Sequence, residues 1–146
     1  MGSIVGKYRC ENLEQLTFAD QSIDLHITQD VFEHVLRPER AFAEVARTLK
    51  PGGAHVFTVP IVNKDAPTKR RIAVNAKDDV THLEPPEYHG NPIDAKGSLV
   101  TTDWGYDICV FIAQSCGLET EMVRLDDLGH GIRAEYIEVL VTRKPR

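Results

Sequence analysis

The alternation of apolar and polar positions predicts a strand, a helix and a second strand in the first part of the chain. Residues 23–28 (IDLHIT) place an apolar side chain at every second position, which is typical of a half-buried strand. Residues 38–50 space their apolar side chains three and four positions apart, which predicts an amphipathic helix. Residues 51–53 (PGG) end that helix, and residues 54–60 (AHVFTVP) form an almost continuously apolar run. This order predicts a parallel β-α-β unit.

The pattern is weaker between residues 61 and 102, where prolines interrupt the chain and little periodicity remains. A second helix is predicted from Thr102 or Asp103 to Gly117. Two strands, residues 119–125 and 136–142, follow, and the polar turn between them predicts an antiparallel pair. The prediction is one α/β domain over residues 1–146, with a mostly parallel sheet, an antiparallel C-terminal edge and helices on both faces.

Composition narrows the class of protein. The 146 residues carry 17 Lys and Arg against 22 Asp and Glu, a net charge of −5, with 42% hydrophobic residues. These values are typical of one globular domain, and the acidic balance argues against a nucleic-acid partner. No run of about 18 apolar residues is present, which predicts no membrane span, and no long apolar leader is seen. We therefore expect a cytoplasmic protein.

Three segments carry the candidate chemistry. Residues 11–24 (ENLEQLTFADQSID) precede the first strand, residues 29–35 (QDVFEHV) follow it, and residues 43–53 (AEVARTLKPGG) end the helix. In this order and spacing they resemble three motifs of the class I S-adenosylmethionine-dependent methyltransferases, of the type 11-like group. The resemblance implies a truncated Rossmann-like methyltransferase sheet, an S-adenosylmethionine cofactor and a transferase activity.

The resemblance also implies roles for single residues. Gln29, Asp30 and Val31 correspond to positions that face the methionine portion of the cofactor, at the carboxyl end of a strand. The turn formed by Glu11, Asn12 and Leu13 corresponds to the region that contacts adenine, where the Asn12 amide oxygen can accept a hydrogen bond. His34 is the nearest candidate base. The alternative is that His34 only satisfies backbone groups after the strand.

The segment from residue 61 to residue 102 corresponds to the acceptor side of the family's fold. His82, Tyr88 and His89 are therefore predicted to contact the acceptor, which is a small molecule, a saccharide or a lipid. Trp104, which follows this segment, is included in the same set, although the helical spacing also turns it inward. A proline-ordered turn whose histidines are hydrogen-bonded is the alternative.

Two further interpretations of this segment stay open, although the main prediction includes no metal site. Zinc could bind to His82 and His89 together with Glu84 or Glu87, as in a small metal-dependent hydrolase. The basic run of residues 69–71 (KRR) is predicted to be a solvated surface, and phosphate binding is its alternative.

The glycine-rich turn of the family is not found. Gly2 and Gly6 are the only glycines before Gly52, and no strand precedes them. We therefore expect the C-terminal portion of a methyltransferase, active only when the missing half is supplied, with residues 4–10 disordered, paired elsewhere or completed by another chain. The alternative is a non-catalytic binding module that forms a homodimer through an exposed sheet edge.

Overall fold

A computed structural model describes residues 1–91 and 94–146. Its main sheet has four strands, and two α-helices pack against it. The strands are β1 (Ile23–Gln29), β2 (Leu49–Thr58), β3 (Thr120–Arg124) and β4 (Glu138–Arg143), and the helices are α1 (Pro38–Thr48) and α2 (Ile108–Cys116).

The predicted β-α-β unit is confirmed. Strands β1 and β2 are parallel neighbours, with Ile27 opposite Val56, and α1 connects them. The helix ends at Thr48, two residues earlier than predicted, and β2 begins at once. Gly53 allows the close approach at this point, because a Cβ there would lie 2.9 Å from the Lys50 carbonyl oxygen.

The prediction of a mostly parallel sheet is wrong. The strand order is β3-β4-β2-β1, and of the three neighbouring pairs only β1 with β2 is parallel. The reason is the predicted hairpin, which is confirmed: β4 pairs antiparallel with β3 on one side and with β2 on the other. The antiparallel strands β3 and β4 therefore make up half of the sheet, whereas only an antiparallel edge was predicted.

Both α-helices of the described residues pack on the same face of the sheet, so the prediction of helices on both faces is wrong. The core joins Phe42 of α1 and Ile112 of α2 to Phe57 of β2 and Leu140 of β4. Trp104, which precedes α2, is also fully buried in this core.

The opposite face of the sheet carries no helix within residues 1–91 and 94–146. Leu25 and Ile27 of β1 are 52% and 71% exposed, although strand periodicity places them opposite the core. Register extends this face across the sheet, because Ile27 lies beside Val56 and Val56 lies beside Val141. We call it the bare face. Strand β1 also forms the sheet edge, so its outer backbone groups have no strand partner among the described residues.

The segment between residues 61 and 102 is richer in strands than predicted. It contains short antiparallel pairs, which are Lys69–Arg70 with Thr102–Asp103, Ile72–Val74 with Val80–His82, and Tyr88–His89 with Ser98–Leu99. Thr102 and Asp103 are therefore strand residues, and α2 begins later than predicted, at Ile108. Arg70 donates to the Leu36 carbonyl oxygen, so this basic residue serves the fold.

Residues 4–9 form a separate two-stranded hairpin, Ile4–Val5 with Tyr8–Arg9, which is not part of the main sheet. This is one of the outcomes left open for the segment. None of the described helices has the length and apolar character needed to cross a bilayer.

Candidate active site

The carboxyl ends of the two parallel strands are tied together at Asp30. The Asp30 backbone N–H donates to the Thr58 carbonyl oxygen at 3.1 Å, and the Thr58 hydroxyl donates to Asp30 Oδ1 at 3.0 Å. Asp30 has a φ of +50°, in the left-handed region, which turns the chain away from the sheet. The preceding residue, Gln29, is exposed, and its side-chain amide has no hydrogen-bond partner among the described residues.

A cavity of about 330 Å³ opens at this end of the sheet. It is lined on one side by Gln29, Asp30 and Thr58 and on the other by residues 134–136 and Glu138. A larger cavity, of about 560 Å³, lies at the opposite end, beside Gly117 and Arg143. The smaller one is the better candidate, because ligands of open parallel sheets bind at the carboxyl ends of the strands.

A short 3₁₀ helix, Phe32–His34, follows the first strand and carries a buried carboxylate, that of Glu33. Glu33 is only 2% exposed, and neither of its carboxylate oxygens has a hydrogen-bond partner on another described residue. Burial raises the pKa of Glu33 to about 7, its own backbone N–H opposes the shift, and the charge of Asp30 adds to it. A buried carboxylate of this kind is typical of functional sites.

His34 is held between the 3₁₀ helix and the acceptor-side segment. Its Nδ1 donates to the Leu99 carbonyl oxygen at 2.9 Å, because a carbonyl can only accept. Its Nε2 lies 3.7 Å from Glu33 Oε1. The ring of His89 stands perpendicular to it, with the centroids 5.0 Å apart. The structure therefore brings together two of the predicted histidines, His34 and His89, with Glu33 beside them.

The other predicted acceptor residues lie elsewhere. His82 is an exposed residue of a hairpin strand, and Tyr88 is 52% exposed. Trp104 is fully buried in the core, so its predicted contact with an acceptor is not compatible with this structure. Its indole explains the misassignment, since a large apolar ring before a helix suits a core equally well.

The zinc site predicted as an alternative is not assembled. Among the described residues, one group of side chains has donor atoms close enough for a metal, and His82 is not in it. Glu84 pairs instead with Lys69 at 2.6 Å, and Glu87 pairs with Arg71 at 3.2 Å.

The predicted adenine-side turn is built mainly from internal hydrogen bonds. Asn12 Oδ1 accepts from the Glu14 backbone N–H at 3.0 Å, as in an Asx turn. The partly buried Glu11 carboxylate accepts from the hydroxyl and the backbone N–H of Thr17, and these bonds, with Arg9, lower the pKa of Glu11 to about 2. Glu11 therefore orders the turn, and Leu13 packs against the core.

Sequence reasoning missed the anchor of this turn, which is supplied by α1. Glu44 Oε2 accepts from the Leu16 backbone N–H at 2.8 Å. Arg47 donates to Glu44 and to the carbonyl oxygens of Leu16 and Phe18. Glu44 and Arg47 are about one helical turn apart, a spacing that by itself predicts a simple surface ion pair. In the structure their hydrogen bonds instead hold residues 16–18 against the helix.

Parts of the sequence are similar to methyltransferases. A family model described as "Methyltransferase domain" matches residues 2–57. Dimethylglycine N-methyltransferase of Parasynechococcus marenigrum is 46% identical over 50 residues, which are 34% of this chain and 18% of that protein. Malonyl-[acyl-carrier protein] O-methyltransferase of Methylococcus capsulatus is 34% identical over 83 residues, which are 57% of this chain and 28% of that protein.

The class I methyltransferase resemblance is confirmed. An S-adenosylmethionine-dependent methyltransferase from Mesorhizobium loti has a similar fold. The superposition covers 91% of this chain and 67% of that protein, with a TM-score of 0.52 and 21% identity. The chain nevertheless matches less than a third of the length of either curated relative, 18% and 28%.

The chain's own residues fit one part of an S-adenosylmethionine site. The exposed Gln29 amide and the Asp30 turn stand at the strand end where the methionine portion is expected, beside an open cavity. The remaining part is not formed within the described residues, because Ile4–Val5 and Tyr8–Arg9 make a hairpin outside the main sheet.

Glu33 was not predicted, although it stands next to His34 in the motif after the first strand. Hydrophobic periodicity could not reveal that its carboxylate is buried.

Proposed function

We propose that this chain forms the acceptor side of an S-adenosylmethionine-dependent methyltransferase site. Transfer to the acceptor, a small molecule, a saccharide or a lipid, then requires the glycine-rich turn, supplied either within a longer gene product or by a partner in an assembly. The proposal is supported by the matching of residues 2–57 to a methyltransferase domain and by the exposed strand end at Gln29 and Asp30.

One observation carries the need for this additional segment: within the described residues, β1 has a strand partner on one side only and its outer face is uncovered. Leu25 and Ile27 expose 52% and 71% of their surface on the bare face, and β1 has a free edge. A strand with a following helix would pair with that edge and cover those side chains, removing apolar area from water at about 25 cal/mol per Å². In the family, the strand and helix that flank the glycine-rich turn have this arrangement.

The chemistry asked of this chain is modest. S-adenosylmethionine, when bound, supplies an electrophilic methyl group, so the protein has to align the acceptor and remove its proton. Gln29, Asp30 and Val31 would hold the methionine portion. His34 would accept the acceptor's proton at Nε2, because its Nδ1–H is fixed on the Leu99 carbonyl oxygen and leaves the lone pair on Nε2.

The test is a calorimetric titration of S-adenosylmethionine into two proteins. The first is the chain itself, and the second is the chain fused behind a designed strand, glycine-rich turn and helix of the family's G-x-G-x-G type. We expect the fused protein to bind with a dissociation constant at least about tenfold lower than the chain alone, a gain of about 1.4 kcal/mol. A fused protein that is folded by circular dichroism and gains no affinity would contradict the proposal.

A second candidate function, a non-catalytic module that dimerises, is favoured by the same free edge. Two copies could pair through β1, each covering the Ile27 side chain of the other. Sedimentation equilibrium separates the two functions: this candidate predicts a dimer that Ile27→Lys dissociates, with Val110→Lys on the exposed side of α2 as the matched control. A monomer at all concentrations would exclude it.

A further inference from the structure

The buried carboxylate of Glu33 and the imidazoles of His34 and His89 form a compact group of donor atoms. One atom of each lies within 4.8 Å of the others. We propose that these three residues bind a divalent transition-metal ion, with His34 and His89 as nitrogen ligands and Glu33 as the oxygen ligand.

The first argument is the state of Glu33. Its side chain is 2% exposed, and both oxygens are without a hydrogen-bond donor from any other described residue. A buried acceptor with no donor is unfavourable, and a charged one is more so. A bound cation would satisfy these oxygens, and no other described residue places a donor within hydrogen-bond distance of them.

The second argument is the orientation of His34. Because Nδ1 donates to the Leu99 carbonyl oxygen at 2.9 Å, the lone pair of the neutral ring is on Nε2, the nitrogen that lies nearer to Glu33 Oε1. A backbone carbonyl on the far ring nitrogen is the usual arrangement around metal-binding histidines. The Nε2 to Oε1 distance is 3.7 Å, too long for a hydrogen bond. Two ligands that each bond a metal at about 2.1 Å would be about 3.4–3.7 Å apart.

The third argument is the position of His89. It belongs to the acceptor-side segment, in the short strand Tyr88–His89, far in sequence from the 3₁₀ helix that carries the other two ligands. Its ring is perpendicular to that of His34 at 5.0 Å. A metal here would join the acceptor-side segment to the end of the first strand.

The surrounding charges favour a cation. Asp30 acts on Glu33 as a second negative charge, and Glu87 Oε1 lies 3.9 Å from His89 Nε2. The nearby cation Arg71 is balanced by Glu87 at 3.2 Å and by Asp103 at 2.9 Å.

The donor set indicates the kind of ion. Two imidazole nitrogens and one carboxylate oxygen suit Zn²⁺, Co²⁺ or Mn²⁺, and leave positions for water or for an oxygen of the acceptor. Mg²⁺ is disfavoured because it prefers oxygen ligands. A bound ion would occupy the His34 Nε2 lone pair, which the proposed function assigns to the acceptor's proton, so the ion and that proton would compete for it. Metal binding is measured without methyl transfer, so its test is separate from that of the proposed function.

The experiment titrates chelator-treated full chain with Zn²⁺ alone by calorimetry and with Co²⁺ alone by visible absorption. We expect one ion per chain and a Co²⁺ ligand-field band. His89→Ala should weaken binding by about tenfold or more, while His82→Ala, on the neighbouring hairpin, should leave it unchanged. Glu33→Gln should also weaken binding.

Two results would overturn the proposal. One is equal loss in His82→Ala and His89→Ala, which would mean adventitious binding to surface histidines; the other is no saturable binding up to about millimolar metal. Because Glu33→Gln alters a buried residue, the comparison of the two histidine variants decides the matter if that variant does not fold. A rise in melting temperature with Zn²⁺ concentration, absent in His89→Ala, is the second readout.

Discussion

Phe32 stacks on Phe42 with ring centroids 4.2 Å apart and an interplanar angle of 12°. Phe32 belongs to the 3₁₀ helix that carries Glu33 and His34, and Phe42 lies in the middle of α1. Both rings are almost completely buried, with exposures of 0% and 2%. This contact therefore connects the hydrophobic core directly to the candidate site.

Truncation of Phe42 should be strongly destabilising. We expect Phe42→Ala to lower the free energy of unfolding by about 3–5 kcal/mol, because it removes a buried ring and leaves a cavity beside Phe32. Urea denaturation measures the change. Val110→Ala, at a 58% exposed position of α2, is the control and should change the stability by about 0.5 kcal/mol or less. Similar losses in the two variants would contradict the assigned core.

Removal of the Arg47 guanidinium should loosen residues 16–18. Arg47→Ala deletes donors to the Leu16 and Phe18 carbonyl oxygens, so we expect a loss of about 1–3 kcal/mol, and only part of it should return in Arg47→Lys. Hydrogen exchange should rise at the Leu16 amide. The control is Lys50→Ala, which breaks an exposed pair with Asp24 and should have little effect. An Arg47 variant as mild as this control would show that the pair is only a surface interaction.

Gly105 should not tolerate a side chain. A Cβ at this position would lie 2.5 Å from the Ala66 carbonyl oxygen and 2.9 Å from the Thr68 backbone nitrogen, both backbone atoms. We expect Gly105→Ala to destabilise the protein by about 1–3 kcal/mol. At Gly90 a Cβ would meet nothing within 4 Å, so Gly90→Ala should be close to neutral in the same thermal melts. Equal melting temperatures would contradict the packing described around Gly105.

His55 should make the stability depend on pH. Burial lowers the pKa of His55 to about 3, with a smaller effect from His26, whereas an unfolded histidine titrates near 6.5. The unfolded chain therefore binds the proton first, and the stability present above about pH 6.5 is lost as the pH falls toward 3, by about 1.4 kcal/mol per pH unit.

A comparison of the unsubstituted protein with the His55→Gln variant isolates this effect. Gln removes the titrating group and retains a polar partner for the Thr28 hydroxyl, which lies 2.9 Å from His55 Nε2. Urea midpoints between pH 6 and pH 4 should therefore fall less steeply in the variant. Parallel profiles would mean that His55 takes up its proton in the folded protein.

The local elements could be predicted from the sequence where the hydrophobic periodicity agrees with the prolines and glycines that begin or end an element. The strand of residues 23–28, the helix that begins at Pro38 and the left-handed Gly117 that ends α2 are all found. The parallel part of the sheet was overestimated because the apolar and polar pattern of a strand does not show which strand it pairs with, or in which direction. The bare face was likewise not evident, since Leu25 and Ile27 have the periodicity of residues that some layer covers.

The candidate site was predicted in part, for a physical reason. His34 and His89 were singled out separately, but their proximity depends on the pairing of Tyr88–His89 with Ser98–Leu99. Glu33 was missed because a carboxylate in a motif normally suggests exposure, whereas here it is buried beside Phe32. Trp104 was misassigned for the opposite reason, since it is a core residue.

The most direct test of the central claim is the titration of S-adenosylhomocysteine into the fused chain and two of its glutamine variants. Gln29 stands at the end of β1, where the methionine portion is expected, and Gln114 is an exposed residue of α2. We expect Gln29→Ala to weaken binding by about tenfold, or about 1.4 kcal/mol, while Gln114→Ala leaves the dissociation constant unchanged. Unchanged affinity in the Gln29 variant of a fused protein that binds would contradict the placement of the cofactor at this strand end.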